Sequence, residues 1–189
     1  MATNCNDLIS GMNPACDALN KVGGVNKRVW IGLKSNISYT VDSNGYVNSI
    51  SMGVVGSITS KLYTFTGKRD KNSFAFPMTA GDNINTFNHT AIMQLYYSTP
   101  SELETLNQLA NADDLVVFME GNDDKIYILG LQKGLNASAG EGGSGILLND
   151  STAYTLTLSG EQTKTPNIFR TNASASIATL EAYLDALAA

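Results

Sequence analysis

Short strand-like runs separated by turn residues are the feature that most limits what this chain can fold into. In several of these runs, those over residues 61–66, 87–97 and 154–158, apolar and polar residues alternate with period two, which is typical of β-strands that have one buried face. The longest run covers residues 87–97, where Phe, His, Ala, Met, Leu and Tyr occupy alternate positions. The shorter runs cover residues 28–33, 37–41, 46–52, 61–66, 115–119, 126–129 and 154–158. About eight short strands at this spacing predict a β-rich domain.

Two turn sequences predict how neighbouring runs pair. Residues 42–45 read Asp-Ser-Asn-Gly, and Asn-Gly is a strong hairpin signal because both residues tolerate the positive φ that the turn requires. Residues 121–124 read Gly-Asn-Asp-Asp and separate two apolar runs. We therefore expect one β-hairpin around each of these turns.

Two other segments have helical spacing. Residues 99–102, Thr-Pro-Ser-Glu, form a capping-box sequence with proline at the first helical position, and they predict a helix over 100–111. Its apolar stripe consists of Leu103, Leu106, Leu109 and Ala110. A second helix is predicted over 176–188, with Ser174 or Ser176 as its cap. Because its other faces are rich in alanine, we expect this second helix to dock on another part of the chain.

These elements predict an α+β fold that is mainly β: an antiparallel β-sandwich or barrel with one internal helix and one C-terminal helix. We expect an N-terminal arm over residues 1–24, a single β-rich domain over 25–172 and the C-terminal helix within 173–189. Inside the domain, residues 132–150 are rich in glycine and predict a long loop between two strands. A connection of this length is uncommon inside a compact domain and is usually functional or mobile.

Charged side chains are scarce, and their scarcity excludes several classes of protein. They make up 15% of the chain, against about 25% on average, and 19 Asn, 17 Thr and 17 Ser replace them. A net charge of −5 argues against a protein that clamps nucleic-acid phosphates, which needs a basic surface. No apolar stretch approaches the length of a membrane span, and the first residues lack a signal-peptide pattern. We therefore expect a soluble chain with no membrane partner.

The residues available for catalysis are few. His89 is the only histidine, and its position in a strand run favours a hydrogen-bonded structural residue. One histidine excludes a two-histidine metal site, and no Gly-x-Ser-x-Gly elbow is present. Residues 140–145 are glycine-rich but lack the lysine of a phosphate-binding loop. The sequence therefore favours a protein that is not an enzyme and has no metal or cofactor.

The two cysteines leave two interpretations open. Cys5 and Cys16 are eleven residues apart and lack the C-x-x-C spacing of redox and zinc motifs. A disulfide between them would stabilise the fold by about 3 kcal/mol in an oxidising compartment. In a reducing cytosol, two free thiols packed as small hydrophobic groups are favoured instead.

The C-terminal half of the chain resembles a known family. Residues 128–131 (Ile-Leu-Gly-Leu), Gly145, Asp150 and residues 154–160 (Tyr-Thr-Leu-Thr-Leu-Ser-Gly) are similar to the closing strands of phage major tail tube proteins. Residues 19–25 and 87–89 are similar to structural proteins from phages of Bacteroidetes hosts. The resemblance covers about half of the chain and consists mainly of glycine positions and alternation.

The resemblance implies a function. In that family a β-sandwich domain with a flanking helix forms hexameric rings, and the rings stack into the tube that carries DNA. It therefore implies a virion tail protein that is assembled in the cytoplasm of the bacterial host. The partners that it implies are copies of the chain and other phage tail proteins, while DNA passes through the tube without tight binding.

Two sets of site residues follow from this expectation. The expected inter-subunit or inter-ring loop consists of Gly134, Leu135, Gly140, Glu141, Gly142, Gly143, Ser144 and Gly145. The expected lumen-facing carboxylates are Asp113, Asp114, Asp123 and Asp124. Because both aspartate pairs lie at turns and lack the ligand spacing of a calcium loop, solvated turn residues are the alternative interpretation.

Three other functions stay open from the sequence. A capsid decoration or head–tail connector protein would share the β-rich fold and the low charge. A carbohydrate-binding β-sandwich module is suggested by the many Asn, Thr and Tyr residues. An enzyme that depends on His89 is the weakest alternative.

Overall fold

The computed structural model describes residues 24–55, 58–67, 71–97, 99–143, 153–172 and 175–189. In these ranges the helices are α1 (Pro100–Asn111) and α2 (Ile177–Ala188), and Lys34–Asn36 form one 3₁₀ turn. The strands are β1 (Val25–Leu33), β2 (Ile37–Val41), β3 (Val47–Met52), β4 (Val54–Val55), β5 (Ile58–Thr59), β6 (Tyr63–Thr66), β7 (Ser73–Ala75), β8 (Met78–Thr79), β9 (Thr86–Tyr96), β10 (Leu115–Gly121), β11 (Ile126–Leu129), β12 (Asn136–Gly143), β13 (Ala153–Gln162) and β14 (Asn167–Phe169).

Most strands belong to two facing sheets. The larger sheet has the order β2-β3-β14-β11-β10-β1-β6, and the smaller one has the order β12-β13-β9-β7, with β8 also paired to β9. Strands β4 and β5 form a separate two-stranded hairpin. The pairing is antiparallel except between β14 and β3, which are parallel at Phe169 and Val47. The predicted α+β, mainly β sandwich with two helices is confirmed.

The two sheets are joined by backbone bridges at two corners. Just after β6, the edge strand of the larger sheet, Gly67 forms a bridge with Leu95 of β9 in the smaller sheet. A Cβ atom at residue 67 would collide with the carbonyl oxygen of Gln94, which explains why glycine occupies this corner. At a second corner, Leu115 at the start of β10 and Leu135 just before β12 exchange two backbone hydrogen bonds of 2.8 Å.

Strand β10 is buried along its whole length, on both of its faces. Val117 and Met119 point into the core between the sheets, together with residues of β9 and β13. Val116 and Phe118 point into a second core on the opposite face of the larger sheet. The alternation of residues 87–97 predicts a sheet with one buried face, whereas β10 is covered on both sides and has apolar residues at the consecutive positions 115–119.

Helix α2 covers this second core. Leu180 and Leu184 are buried against it. The hydroxyl group of Tyr183 donates to the carbonyl oxygen of Ile50 (2.7 Å) and accepts from its backbone N–H (3.2 Å). Three layers therefore follow one another: the smaller sheet, the larger sheet and α2.

Polar groups of α2 fix its position over β1. The indole Nε1 of Trp30 donates to Asp185 at 2.9 Å. The guanidinium group of Arg28 pairs with both Glu181 and Asp185 and lies 5.2 Å from the centre of the Trp30 ring. Because Trp30 is fully buried, its N–H needs such a partner.

Both predicted helices are confirmed. Helix α1 covers Pro100–Asn111, and the reciprocal hydrogen bonds between Thr99 and Glu102 form the predicted capping box. Helix α2 starts after Ser176, whose side chain accepts from the backbone N–H of Thr179. Of the two candidate caps, Ser176 is therefore the one used.

Two expectations about the chain need correction. The structure has more strands than the eight predicted, because strands of two to four residues are too short to show an alternation. The long loop predicted over 132–150 is wrong for Asn136–Gly143, which form strand β12 paired along its length with β13. The N-terminal arm before Gly24, with Cys5 and Cys16, lies outside the described residues.

Docking of α2 predicts a large effect of one leucine. Replacing Leu184, which is 0% exposed, by alanine removes buried methyl groups and should lower the free energy of unfolding by about 2–5 kcal/mol. The control Leu103→Ala removes a leucine that is 45% exposed and should change it by less than about 0.5 kcal/mol. Urea unfolding followed by the fluorescence of Trp30, the only tryptophan, measures both. Equal midpoints would show that α2 is not docked in solution.

Candidate functional site

Strand β12 forms an exposed edge of the smaller sheet. Within the described ranges it pairs only with β13, and its residues 138–143 are all exposed. Its outer side therefore presents backbone N–H and C=O groups without a strand partner. Such an edge is a template for pairing with another chain.

The glycines of β12 make room for a tyrosine of the neighbouring strand. Tyr154 of β13 lies over Gly140 and Gly142, and a Cβ atom at either position would collide with its ring. The two glycines and Tyr154 therefore act together as one packed surface, in which the ring replaces the missing side chains. A Cβ atom at Gly143 meets nothing within 4 Å, so this position tolerates a side chain.

The residues of the predicted inter-subunit loop differ in their burial. Gly134 and Leu135 are buried, and the carbonyl oxygen of Gly134 accepts from Gln162 at 2.9 Å. These two residues therefore offer no surface to another subunit, and their inclusion is wrong because they belong to the corner between the sheets. Gly140, Glu141, Gly142 and Gly143 are exposed in β12. Ser144 and Gly145 lie outside the described residues.

A hairpin with exposed apolar side chains projects at the start of β9. Strand β8 pairs with β9 through Met78–Phe87 and Thr79–Thr86. The exposed apolar side chains near this hairpin are Phe76 (41%), Met78 (57%) and Ile84 (57%). We call residues 76–86 the apolar hairpin. This hairpin is not among the strand runs predicted above, although apolar residues on both sides of a Gly-Asp-Asn turn signal an exposed hairpin tip.

An apolar groove lies at the other end of the molecule. It has a volume of about 350 Å³ and is formed between helix α1 and strands β1 and β6. Its lining includes Ile31, Leu33, Tyr63, Phe65, Leu109 and Ala112, and none of the described residues that line it is charged. We call it the α1 groove. Leu33 and Tyr63 are 42% and 58% exposed, so its walls are open to contact.

The apolar hairpin and the α1 groove are separated by the length of β9. The hairpin precedes the first residues of this strand, whereas Phe65 of the groove lies two residues before Gly67, which forms a bridge with Leu95 near the last residue of β9. At a rise of about 3.4 Å per residue, an eleven-residue strand spans roughly 35 Å. One end of the molecule therefore carries the apolar hairpin, and the opposite end carries the α1 groove.

The two aspartate pairs do not come together. Asp113 and Asp114 precede β10, and Asp123 and Asp124 follow it, so roughly 20 Å of strand separates the pairs. Asp114 and Asp124 have φ angles of 55° and 57°, a conformation that Asp adopts more readily than most residues. They therefore occupy tight turns at opposite ends of one strand.

Asp123 has structural partners. Its carboxylate accepts from the hydroxyl group of Tyr127 at 2.8 Å and pairs with Lys125 at 3.4 Å. Burial raises the pKa of Tyr127, and the hydrogen bond to Asp123 raises it further, so the phenol keeps its proton. Asp123 therefore closes the turn between β10 and β11.

His89 is a buried, hydrogen-bonded residue of β9, as the sequence favours. Its Nδ1 accepts from the backbone N–H of Gly130 at 3.3 Å, and its Nε2 lies 2.9 Å from the carbonyl oxygen of Lys164. Both bonds form when the ring is neutral and carries its proton on Nε2. Burial lowers the pKa of His89, and the bond to Lys164 opposes this in part. His89 thus ties β9 to two connections between the sheets, the one from β11 to β12 and the one from β13 to β14.

Comparisons with known proteins give no relative. No family model, no curated protein and no solved structure matches this chain. In the part of the chain that the structure describes, no helix is long and apolar enough to cross a membrane. Over the same ranges, no group of three or more His, Cys, Asp or Glu side chains could hold a metal ion.

The lowered pKa of His89 predicts a loss of stability in mild acid. Below the ordinary histidine pKa of about 6.5, the unfolded chain binds a proton that the folded chain does not. The stability that the neutral His89 ring contributes is fully present above about pH 7. It should be lost as the pH falls through about 6.5 towards the lower pKa of His89 in the folded chain. Chemical unfolding at several pH values should show a smaller loss for His89→Gln, because glutamine does not titrate. Parallel curves for the two proteins would contradict a neutral buried ring.

Proposed function

We propose that this chain is a virion structural protein, the subunit of a phage tail tube, whose copies form stacked rings around a channel for DNA. The observation that carries the proposal is the apolar hairpin at one end of the molecule and the uncharged α1 groove at the other. The resemblance of the closing strands to tail tube proteins supports it and suggests rings of six.

Contact between the hairpin of one copy and the groove of the next would be heterologous. Each copy would use one surface to bind forwards and a different surface to bind backwards, so growth continues instead of stopping at a dimer. The chemistry favours this contact, because Met78 and Ile84 would enter a groove without charged residues. Only Asp82 is charged among residues 76–86, which keeps the cost of removing water low.

The exposed edge of β12 is the surface that we propose for contact within a ring. Strand pairing with a neighbouring subunit would satisfy the backbone groups on its outer side. Glu141 is the one charged residue among residues 136–143, so close approach of another strand meets little repulsion. Gly140 to Gly143 thus remain in the proposal for inter-subunit contacts.

The charge of the subunit suits a channel through which DNA passes. Each copy has a net charge of −5, and a channel of such subunits gains no affinity from neutralised phosphates. Asp113, Asp114 and Asp124 are exposed, and we keep them in the proposal for lumen-facing carboxylates. Asp123, which is half-buried and hydrogen-bonded, contributes less to any such surface.

The heterologous contact predicts a specific pattern of assembly. Negative-stain microscopy of the purified protein should show rings and tubes. Ile84→Asp places a charge on the apolar hairpin, and Leu33→Asp places one in the α1 groove. Each variant alone should form rings that do not stack. An equal mixture of the two variants should form pairs of rings but no stacks of more than two rings. The reason is that the intact hairpin of Leu33→Asp can contact only the intact groove of Ile84→Asp.

The control for these variants is Ser51→Asp, which adds the same charge at an exposed position of β3 and should leave the tubes intact. Long stacks formed by either apolar-surface variant would contradict the proposed contact. Discrete monomers of the wild-type protein at every salt concentration would overturn the tube proposal. Trimers or plugs that bind capsids would replace it with the decoration or connector alternative.

The edge of β12 gives a second prediction. Gly143→Lys adds a side chain where the subunit leaves open space, so the fold should be kept while strand pairing with a neighbour is blocked. We expect sedimentation to show monomers instead of rings, with an unchanged unfolding midpoint. Ser51→Lys carries the same charge change at an exposed position away from β12 and should still form rings. Rings formed by Gly143→Lys would remove β12 from the interface.

A further inference from the structure

A polar cleft lies beside the turn between β2 and β3, away from the apolar hairpin and the α1 groove. Its volume is about 460 Å³, within the range of about 300–1,000 Å³ that is usual for ligand sites. The residues of its lining that can recognise a ligand are Tyr39, Asn44, Tyr46, Gln132, Lys164 and Asn167. None of these residues lines the α1 groove or belongs to the apolar hairpin.

Two tyrosine rings supply the aromatic part of the lining of this cleft. Tyr39 is 41% exposed on the edge strand β2. Tyr46 borders both this cleft and a neighbouring cavity, and Arg170, which borders only the neighbouring cavity, lies 5.2 Å from the centre of its ring. The electron-rich faces of such rings attract C–H groups that carry partial positive charge. The pyranose rings of sugars present C–H groups of this kind.

The backbone around the cleft is held in place by hydrogen bonds. The carboxylate of Asp42 accepts from the N–H groups of Asn44 (2.8 Å) and Tyr46 (3.0 Å), which fixes the turn that carries both side chains. The carbonyl oxygen of Lys164 is bound to the ring of His89. Little ordering is then needed when a ligand binds, so less affinity is lost to entropy.

The amide side chains of the cleft can form hydrogen bonds with the hydroxyl groups of a ligand. The Oε1 atom of Gln132 accepts from both the N–H (3.0 Å) and the hydroxyl group (2.6 Å) of Thr163, so its NH₂ group is the part that can serve a ligand. Asn44 and Asn167 each carry donors and acceptors. A ligand whose hydroxyl groups both donate and accept fits this set.

The charge of the cleft narrows the class of ligand. Among the described residues that line it, Lys164 is the only charged one, and none carries a carboxylate. A metal ion of the calcium type would need several carboxylate or carbonyl oxygens, and a nucleic acid would need several cations. We propose that this cleft binds a neutral oligosaccharide, which stacks on Tyr39 and Tyr46 and forms hydrogen bonds with Gln132, Asn44 and Asn167.

Titration of the full-length protein with four tetrasaccharides tests the proposal. Maltotetraose, cellotetraose, mannotetraose and chitotetraose are added up to millimolar concentration, and binding is followed by calorimetry and by NMR. We expect saturable binding of at least one of them. Loss of a stacking ring in Tyr39→Ala or Tyr46→Ala should weaken it about tenfold, whereas Tyr39→Phe, which keeps the ring, should bind like the wild type.

Tyr96→Ala is the matched control, because Tyr96 has the same exposed fraction as Tyr39, 41%, and lies outside the cleft. It should leave the affinity unchanged. Unfolding midpoints for all variants show whether a lost interaction reflects a lost fold. Absence of binding for all four sugars, or equal losses for Tyr96→Ala and Tyr39→Ala, would overturn the proposal. Neither result bears on the ring and tube contacts.

Discussion

Burial of β10 on both faces is the constraint on which the rest of the structure depends. Leu115, Val117 and Met119 complete the core shared with the smaller sheet, and Val116 and Phe118 complete the core under α2. A shift of one residue in this strand would exchange the two sets. Since Leu115 also forms the corner with Leu135, the register of β10 determines how both sheets and the helix fit together.

The predictable parts of the fold are those whose signal is local. The capping box at Thr99 and Glu102 defines the start of α1 within a few residues of sequence, and the clean alternation of β13 needs no partner to be recognised. Strand β12 has no such signal, because Gly140 and Gly142 leave no alternation to read. Their strand conformation depends on Tyr154, a residue of another strand that fills the space above them.

Less of the surfaces proposed for assembly could be predicted from the sequence than of the fold. These surfaces, too, depend on contacts between residues that are distant in the sequence. The glycine pattern predicts an interface in the region of β12, but it does not distinguish the exposed Gly143 from the buried Gly134. Gly134 is buried because it lies at a corner between the two sheets. The α1 groove combines residues of β1, β6 and α1, so no single stretch of sequence contains it. Exposure and concavity are properties of the packed chain.

The parallel contact between β3 and β14 has a consequence for the growing chain. Val47 and its partner Phe169 are separated by about 120 residues in the sequence. A ribosome needs on the order of ten seconds to synthesise this length of chain. During this time the β2–β3 hairpin has no place in the larger sheet, and the core that α2 covers stays incomplete. Pairing of such distant segments also slows folding. A prematurely ended chain would therefore lack a finished central sheet, and incomplete copies would be kept out of any assembly that requires the folded subunit.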